Sequence, residues 1–283
     1  MNTINNIRLH VEKKINDAKM EEFPFPHLII ENFFPTEIYD KILRYNLFAE
    51  KPGEEWITKK KSRDLKTTTP YHARKQINLD LSLESIDKEK SEFWKDIRDC
   101  FLNDRWFLNL IYKKYPAYFN IRFGDFVNDS NFEAAFKKEL FLQRHEVGYN
   151  IGPHTDIPRR VITCIFSFAS EKGFDEFGTE LCIPRNSRIR CWGNDHYTME
   201  NFDVVKVAPY IPNNFLLFFK TRQSFHSVKE INNSVPNQRY GMQFQMYEPE
   251  QGVFTDLSAP GLMSSQHVEK SNLKRILNIW RKK

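Results

Sequence analysis

The stretch Tyr149-Asn150-Ile151-Gly152-Pro153-His154-Thr155-Asp156, closely followed by Arg160-Val161-Ile162-Thr163-Cys164-Ile165-Phe166-Ser167-Phe168, decides how the chain folds. The second segment is rich in β-branched and aromatic residues and reads as a buried strand. In the first, His154 and Asp156 are two positions apart, so on extended backbone both side chains leave by one face. The Gly152-Pro153 approach puts that pair at the beginning of a strand, near a rim. Working outward, Leu140–His145, Glu180–Ile183, Val204–Ala208, Asn214–Phe219 and Tyr240–Tyr247 are further short apolar runs between Gly, Pro and Asn turns. That is the pattern of an all-β sandwich or barrel.

The character upstream is helical. Ile7, Val11, Ile15 and Met20 fall on roughly one side of a polar helix, which Phe23-Pro24-Phe25-Pro26 stops, because proline lacks a donor and restricts its predecessor. His27–Phe34 reads as a short buried strand, Pro35 to about Leu47 as a helix, and Lys90 to about Tyr118 as largely helical. Ser271–Lys283 reads as an amphipathic basic helix with Leu273, Ile276, Leu277 and Trp280 on one face. It is expected to pack on the domain rather than on a membrane. No Pro-, Gly- or Ser-rich linker divides the chain.

Composition sets bounds. Of 283 residues, 40% are hydrophobic and 14% aromatic, with 25 phenylalanines and only 10 glycines, which excludes disordered, collagen-like and fibrous classes. The N-terminus lacks a signal-peptide pattern and no apolar run approaches bilayer length. Cys100, Cys164, Cys182 and Cys191 show no CxxC spacing, so neither a zinc site nor a disulfide framework is implied. A soluble cytoplasmic location follows as the expectation, with no membrane partner. The net charge of +5 is unevenly spread. From Trp56 to Lys75 seven basic residues (Lys59, Lys60, Lys61, Arg63, Lys66, Arg74, Lys75) face the single acid Asp64. This is either a solvated loop or one that attracts an anionic molecule. No nucleic-acid-binding motif accompanies it.

A second histidine, His226, lies 70 positions after Asp156 in Ser224-Phe225-His226-Ser227-Val228. Two imidazoles and one carboxylate bind one face of a non-haem iron and leave the other open for further ligands. A β barrel could bring the three together. Taken on the residues alone, ordinary hydrogen-bonded histidines remain the competing reading. His196, in the polar stretch Gly193-Asn194-Asp195-His196, and His145, on the preceding strand, fit the site less well.

Six elements occur in order: Gly152-Pro153-His154-Thr155-Asp156, Arg160-Val161-Ile162-Thr163, Gly178-Thr179-Glu180-Leu181, Pro212-Asn213-Asn214-Phe215-Leu216-Leu217-Phe218-Phe219, Ser224-Phe225-His226-Ser227-Val228 and Gln238-Arg239-Tyr240-Gly241-Met242. The series resembles the iron(II)- and 2-oxoglutarate-dependent oxygenase superfamily, in its prolyl-4-hydroxylase-like branch, over roughly residues 23 to 247. The resemblance implies a double-stranded β-helix, or jelly-roll, core in an α+β chain that is mainly β. Residues 1–283 would form one oxygenase domain: helical support and a leading strand over 1–120, the jelly-roll over 132–250 and the C-terminal helix over 271–283.

The resemblance also implies roles. His154, Asp156 and His226 would be the metal ligands and the catalytic set. Arg239, 13 positions after His226, would hold the far carboxylate of 2-oxoglutarate, a task that suits a guanidinium fork. Thr163 and Ser167 share one face of their strand and are either co-substrate pocket hydroxyls or simple β-formers. Relatives often carry a tyrosine near Ser167. Arg144 and Tyr149 are expected at the mouth, and Lys229 lies too close to His226 to serve in place of Arg239. The cofactors implied are Fe(II), 2-oxoglutarate as co-substrate and O2, with ascorbate as reductant. The reaction implied is hydroxylation with decarboxylation of 2-oxoglutarate to succinate. Halogenating relatives replace the carboxylate ligand with a small residue, which this chain does not.

The primary substrate is expected to be a polar or anionic small molecule, enclosed by Trp56–Lys75 and by the insertion Arg185–Asp203 with Arg188, Arg190, Trp192 and Tyr197. A peptidyl (prolyl-type) substrate is the alternative. A non-catalytic jelly-roll binding protein and a cupin-like metalloenzyme are alternatives of other classes.

Overall fold

The computed structural model describes residues 3–50, 53–55, 73–79, 83, 86–103, 105–124, 136–193, 195–233 and 238–248. The expected C-terminal helix and most of the basic segment lie outside the described residues.

Helix α1 (Thr3–Asp17) buries Ile7, Val11 and Ile15 completely, one apolar residue per turn, each contributing roughly 1.5–3 kcal/mol. Strand β1 is His27–Glu31 and α2 is Thr36–Arg44. Two short strands, β2 (Glu54–Glu55) and β3 (Arg74–Asn78), precede α3 (Lys88–Arg98). Asp87 caps α3 by accepting from the backbone N–H of Glu89 and Lys90. Such a cap is worth about 1 kcal/mol. A π-turn at Asp99–Asn103 joins it to α4 (Trp106–Lys114) and α5 (Pro116–Phe123). The long helical stretch expected from Lys90 is therefore three pieces, broken at the π-turn and at Pro116.

The remaining elements are strands: β4 (Lys137–His145), β5 (Ile151–His154), β6 (Arg160–Phe168), β7 (Thr179–Pro184), β8 (Phe202–Ala208), β9 (Pro212–Phe219), β10 (His226–Val228) and β11 (Arg239–Tyr247). They form two antiparallel sheets. The larger runs β1-β9-β6-β11-β4-β3-β2 and the smaller β5-β10-β7-β8. From β4 onward successive strands alternate between the sheets in jelly-roll fashion, except that β7 and β8 pair as neighbours within the smaller one. This is a double-stranded β-helix carried on N-terminal helices.

The two faces of the larger sheet differ in chemistry. Leu140, Leu142, Met242, Phe244, Met246, Ile162, Cys164 and Phe166 join the helices in the main apolar core. The alternate residues face the smaller sheet. There, at one end, Phe25, Leu181, Ala208, Leu216 and Phe218 close the space with apolar side chains. At the other end the inward residues are polar, and a cavity opens. Close backbone approach matters here: a Cβ on Gly178 would lie 1.9 Å from the Ala208 carbonyl oxygen, so only glycine fits beside β8.

One local expectation is corrected. His154 closes β5 rather than opening a strand, and Asp156 lies two residues beyond it, in the irregular connection that leads to β6. The chain must leave the smaller sheet after His154 and enter the larger one at Arg160, and Pro158 has no N–H to extend a ladder.

Candidate metal centre and adjoining cavity

The β5–β10 pairing sets His154 directly opposite His226. Their rings lie 4.2 Å apart between centroids. With Asp156 from the connection to β6, the three offer ligand atoms all within 4.8 Å of one another. The 72 positions between His154 and His226 are thus closed by one antiparallel register.

The rings are oriented for a shared cation. His154 Nδ1 lies 3.0 Å from the Gly152 carbonyl oxygen, and His226 Nδ1 lies 3.0 Å from that of Ser224. A carbonyl only accepts, so each Nδ1 carries the proton and each Nε2 keeps its lone pair. Burial, then the His226 and His196 imidazoles, hold His154 well below its ordinary range; burial likewise lowers His226. Both are neutral at physiological pH, the form a metal requires.

Asp156 is buried. Burial by itself would raise its carboxyl, but the Arg160 guanidinium, the two imidazoles and Thr163 outweigh that and hold it well below the usual carboxylate range. Arg160 Nη1 donates to Oδ1 at 2.6 Å and Thr163 Oγ1 to Oδ2 at 2.6 Å. A carboxylate has about four lone-pair sites, so both contacts leave capacity for a metal. Between the two ligands, the Thr155 hydroxyl donates to the Cys191 carbonyl at 3.0 Å, and the buried Lys220 ammonium donates to Thr155 Oγ1 at 3.1 Å and to the Thr221 carbonyl at 2.6 Å.

The same site opens on a cavity of about 190 Å³ lined by His154, Asp156 and His226 on one side and by Arg239, His145 and Thr179 on another. Arg239 begins β11. Its guanidinium donates to His145 Nδ1 at 2.8 Å and to Thr179 Oγ1 at 3.1 Å, and faces the Tyr210 ring at 5.8 Å. Among the described residues no carboxylate pairs with it. A buried guanidinium that lacks a carboxylate costs several kcal/mol unless an anion meets it.

Thr163 and Ser167 do not reach the cavity wall. The Thr163 hydroxyl is committed to Asp156, while Ser167 donates to the Ile211 carbonyl at 2.8 Å and lines a smaller recess of about 30 Å³ on the far side of Arg239. Tyr149 lines the main cavity, stacked on His145 at 4.1 Å. Arg144 does not: strand alternation turns it to the opposite face, where it pairs with Glu146 and lies over Phe48. Lys229 pairs with Glu176 instead of entering the site. Arg188, Arg190, Trp192 and Tyr197 do not line the cavity either. Most of the basic segment falls outside the described residues; its end, Arg74, lines the cavity.

Residues not foreseen from sequence are His145, Arg160, Thr179, His196 and the Gln243–Tyr247 stretch. His196 is buried and stacks on His154 at 4.7 Å through an isolated bridge beside β5. A readable signal did exist. On β4 and β11 the apolar residues other than Phe141 and Tyr247 occupy one parity, and Glu139, Gln143, His145, Arg239, Gln243 and Gln245 the other, which is unusual for strands whose two faces are both covered.

A jelly-roll with two histidines and one carboxylate at its open end, facing a buried arginine, is the class of molecule that fold and site define. No family profile matches the sequence, and no curated protein matches it at a significant level. Among solved structures it is similar to a Pseudomonas putida prolyl-4-hydroxylase (10% identity, TM-score 0.40, covering 86% of this chain and 98% of that one). It is also similar to a 2OG-Fe(II) oxygenase family protein from Caulobacter crescentus (10% identity, TM-score 0.41, 98% and 95% covered). A third is HygX from Streptomyces hygroscopicus with nickel, 2-oxoglutarate and hygromycin B bound (10% identity, TM-score 0.36, 79% and 82% covered).

Proposed function

We propose that the protein is an Fe(II)- and 2-oxoglutarate-dependent dioxygenase that hydroxylates a C–H bond of a polar or anionic small molecule, with decarboxylation of 2-oxoglutarate to succinate. One observation carries this reading: the His154/Asp156/His226 set and a buried Arg239 without a carboxylate partner among the described residues face the same cavity.

The donor set fits the metal. Two neutral imidazoles with fixed tautomers and one ionised carboxylate would hold Fe(II) on one face. When bound, Fe(II) with 2-oxoglutarate and O2 supplies the oxidising power for C–H hydroxylation. The chain's own contribution is placement. Arg239 would bind the far carboxylate of 2-oxoglutarate, with Thr179 and His145 holding the guanidinium in position. Arg160 and Thr163 would orient Asp156. Phe218, 4.7 Å from the His226 ring, seals the inner side against water. A small substrate is supported by the setting of the cavity, between two sheets and lined by arginine, glutamine and tyrosine side chains.

The test is direct. Purified protein with Fe(II), ascorbate and 2-oxoglutarate should release succinate slowly even without primary substrate, and Asp156→Ala should abolish that release while circular dichroism stays native. Absence of both metal binding and 2-oxoglutarate binding in the wild-type protein would rule the reading out.

A further inference from the structure

Glutamines line the cavity beyond the residue that would anchor the co-substrate. Arg239, Gln243 and Gln245 share the inward face of β11. At about 3.4 Å per residue the two glutamines start about 14 and 20 Å along the strand from Arg239. Gln143 joins them on the same wall from β4.

The direction of each amide is set by its neighbours. Gln243 Oε1 accepts from Arg74 Nη2 at 2.9 Å and from Gln143 Nε2 at 2.6 Å. Gln245 Oε1 accepts from Arg160 Nη2 at 2.7 Å and from the Tyr247 hydroxyl. A guanidinium has donors only, so in both amides the carbonyl oxygen must be the atom turned toward it. The Nε2 groups of Gln243 and Gln245 are left over, and so is Oε1 of Gln143. Among the described residues none of these atoms has a hydrogen-bond partner, and each is open to the cavity instead of sealed in packing.

The free heads of Gln143 and Gln243 flank the bond that joins the two side chains, one an acceptor and the other a donor. An anion or a ketone accepts from the donor but offers nothing to the acceptor. A hydroxyl has to serve both through one oxygen. An amide brings a carbonyl oxygen for Gln243 and an N–H for Gln143 on separate atoms, with Gln245 as a further donor. We propose that Gln143, Gln243 and Gln245 read the primary substrate, and that it is a neutral molecule carrying a carboxamide or lactam group. This rests on the oxygenase reading above and narrows its substrate to the polar, uncharged kind.

The experiment titrates small probes, followed by ligand-observed NMR, into protein loaded with Zn(II) and saturating 2-oxoglutarate. The probes are 2-pyrrolidinone, cyclopentanone (the same ring without the N–H), acetate and glycerol. Pyrrolidinone should bind saturably, and each of the others more weakly by about fivefold or more. Its signals should broaden when Mn(II) replaces Zn(II), which puts it beside the metal. Gln243→Met keeps the length of the side chain, removes its amide and should weaken pyrrolidinone by about tenfold or more, one hydrogen bond's worth. The inference is overturned if pyrrolidinone does not bind, if another probe binds as tightly, if 2-oxoglutarate displaces it, if Mn(II) leaves its signals sharp, or if Gln243→Met binds it as the wild type does. Comparing the probes needs only the wild-type chain, so a methionine variant that does not fold still leaves the inference open to refutation. The same titrations without metal and 2-oxoglutarate test the glutamines by themselves. Binding there, with no response to Fe(II) or 2-oxoglutarate, would remove the oxygenase reading and keep the amide site.

Discussion

The Arg239 guanidinium donates to His145 Nδ1 at 2.8 Å, across one rung of the β4–β11 ladder, and so makes a neutral imidazole its support. Burial, then Arg239 and Arg74, hold His145 well below its ordinary range. The folded protein therefore refuses a proton that the unfolded chain accepts near pH 6.5. Stability from this residue is present above that pH and is lost as pH falls below it. His145→Phe should remove this acid sensitivity and weaken 2-oxoglutarate about tenfold, since one donor of Arg239 is then left unpaired at a cost of about 1–3 kcal/mol. Denaturant titrations between pH 5 and 8, with 2-oxoglutarate calorimetry, read both effects.

Thr163→Val deletes the hydroxyl that donates to Asp156 Oδ2 and changes little in volume. Partners of metal ligands are typically worth about 10–100-fold in affinity. Mn(II) binding followed by electron paramagnetic resonance should weaken by about tenfold with the melting temperature lowered only slightly. Unchanged affinity would show that Arg160 alone orients the carboxylate.

Gly152 is irreplaceable for a steric reason. A Cβ there would lie 2.2 Å from the Tyr197 carbonyl oxygen, and the Gly152 carbonyl also holds His154 Nδ1. Gly152→Ala must push the His196–Tyr197 segment away from β5, at a cost of about 1–3 kcal/mol. Both thermal stability and metal affinity should fall. If only stability falls, His154 keeps its orientation without that carbonyl.

Glu248 follows β11 and is buried against Arg122 at 3.1 Å. Burial pushes its carboxyl up to about 7, against the pull of Arg122. The folded state then holds a proton between about pH 4.5 and 7 that the unfolded chain has released. Its contribution to stability declines as pH rises through that window and is level above it. Glu248→Gln should flatten the decline in a pH series of unfolding midpoints, and an unaltered slope would place it elsewhere.

Much of the β core was legible because its strands carry β-branched and aromatic residues on a two-residue period, as Arg160–Phe168 does without a boundary error. Helix α1 was readable from Ile7, Val11 and Ile15 for the same kind of reason. Strands β3 and β5 were not: Arg74–Asn78 is mostly polar because its inner face lines a cavity, and Gly152-Pro153 are poor strand formers held by pairing with β10. The three candidate ligands were found from residue type and order. Their tautomers, the commitment of Thr163 to Asp156, the role of His145 and the direction of the Gln243 and Gln245 amides depend on register between strands far apart in sequence, which no local pattern contains. His196 looked like a turn residue because its neighbours are polar, whereas contact with β5 buries it.

Thr155 stands between His154 and Asp156 yet points away from them, into the Cys191 carbonyl and the Lys220 ammonium. The ligand-bearing connection is therefore moored to the end of β9 by bonds that exist whether or not a cation arrives. Ordering of that connection is completed when the chain folds, not when it is loaded. An empty protein should keep its shape, and one divalent ion should be exchangeable for another without refolding.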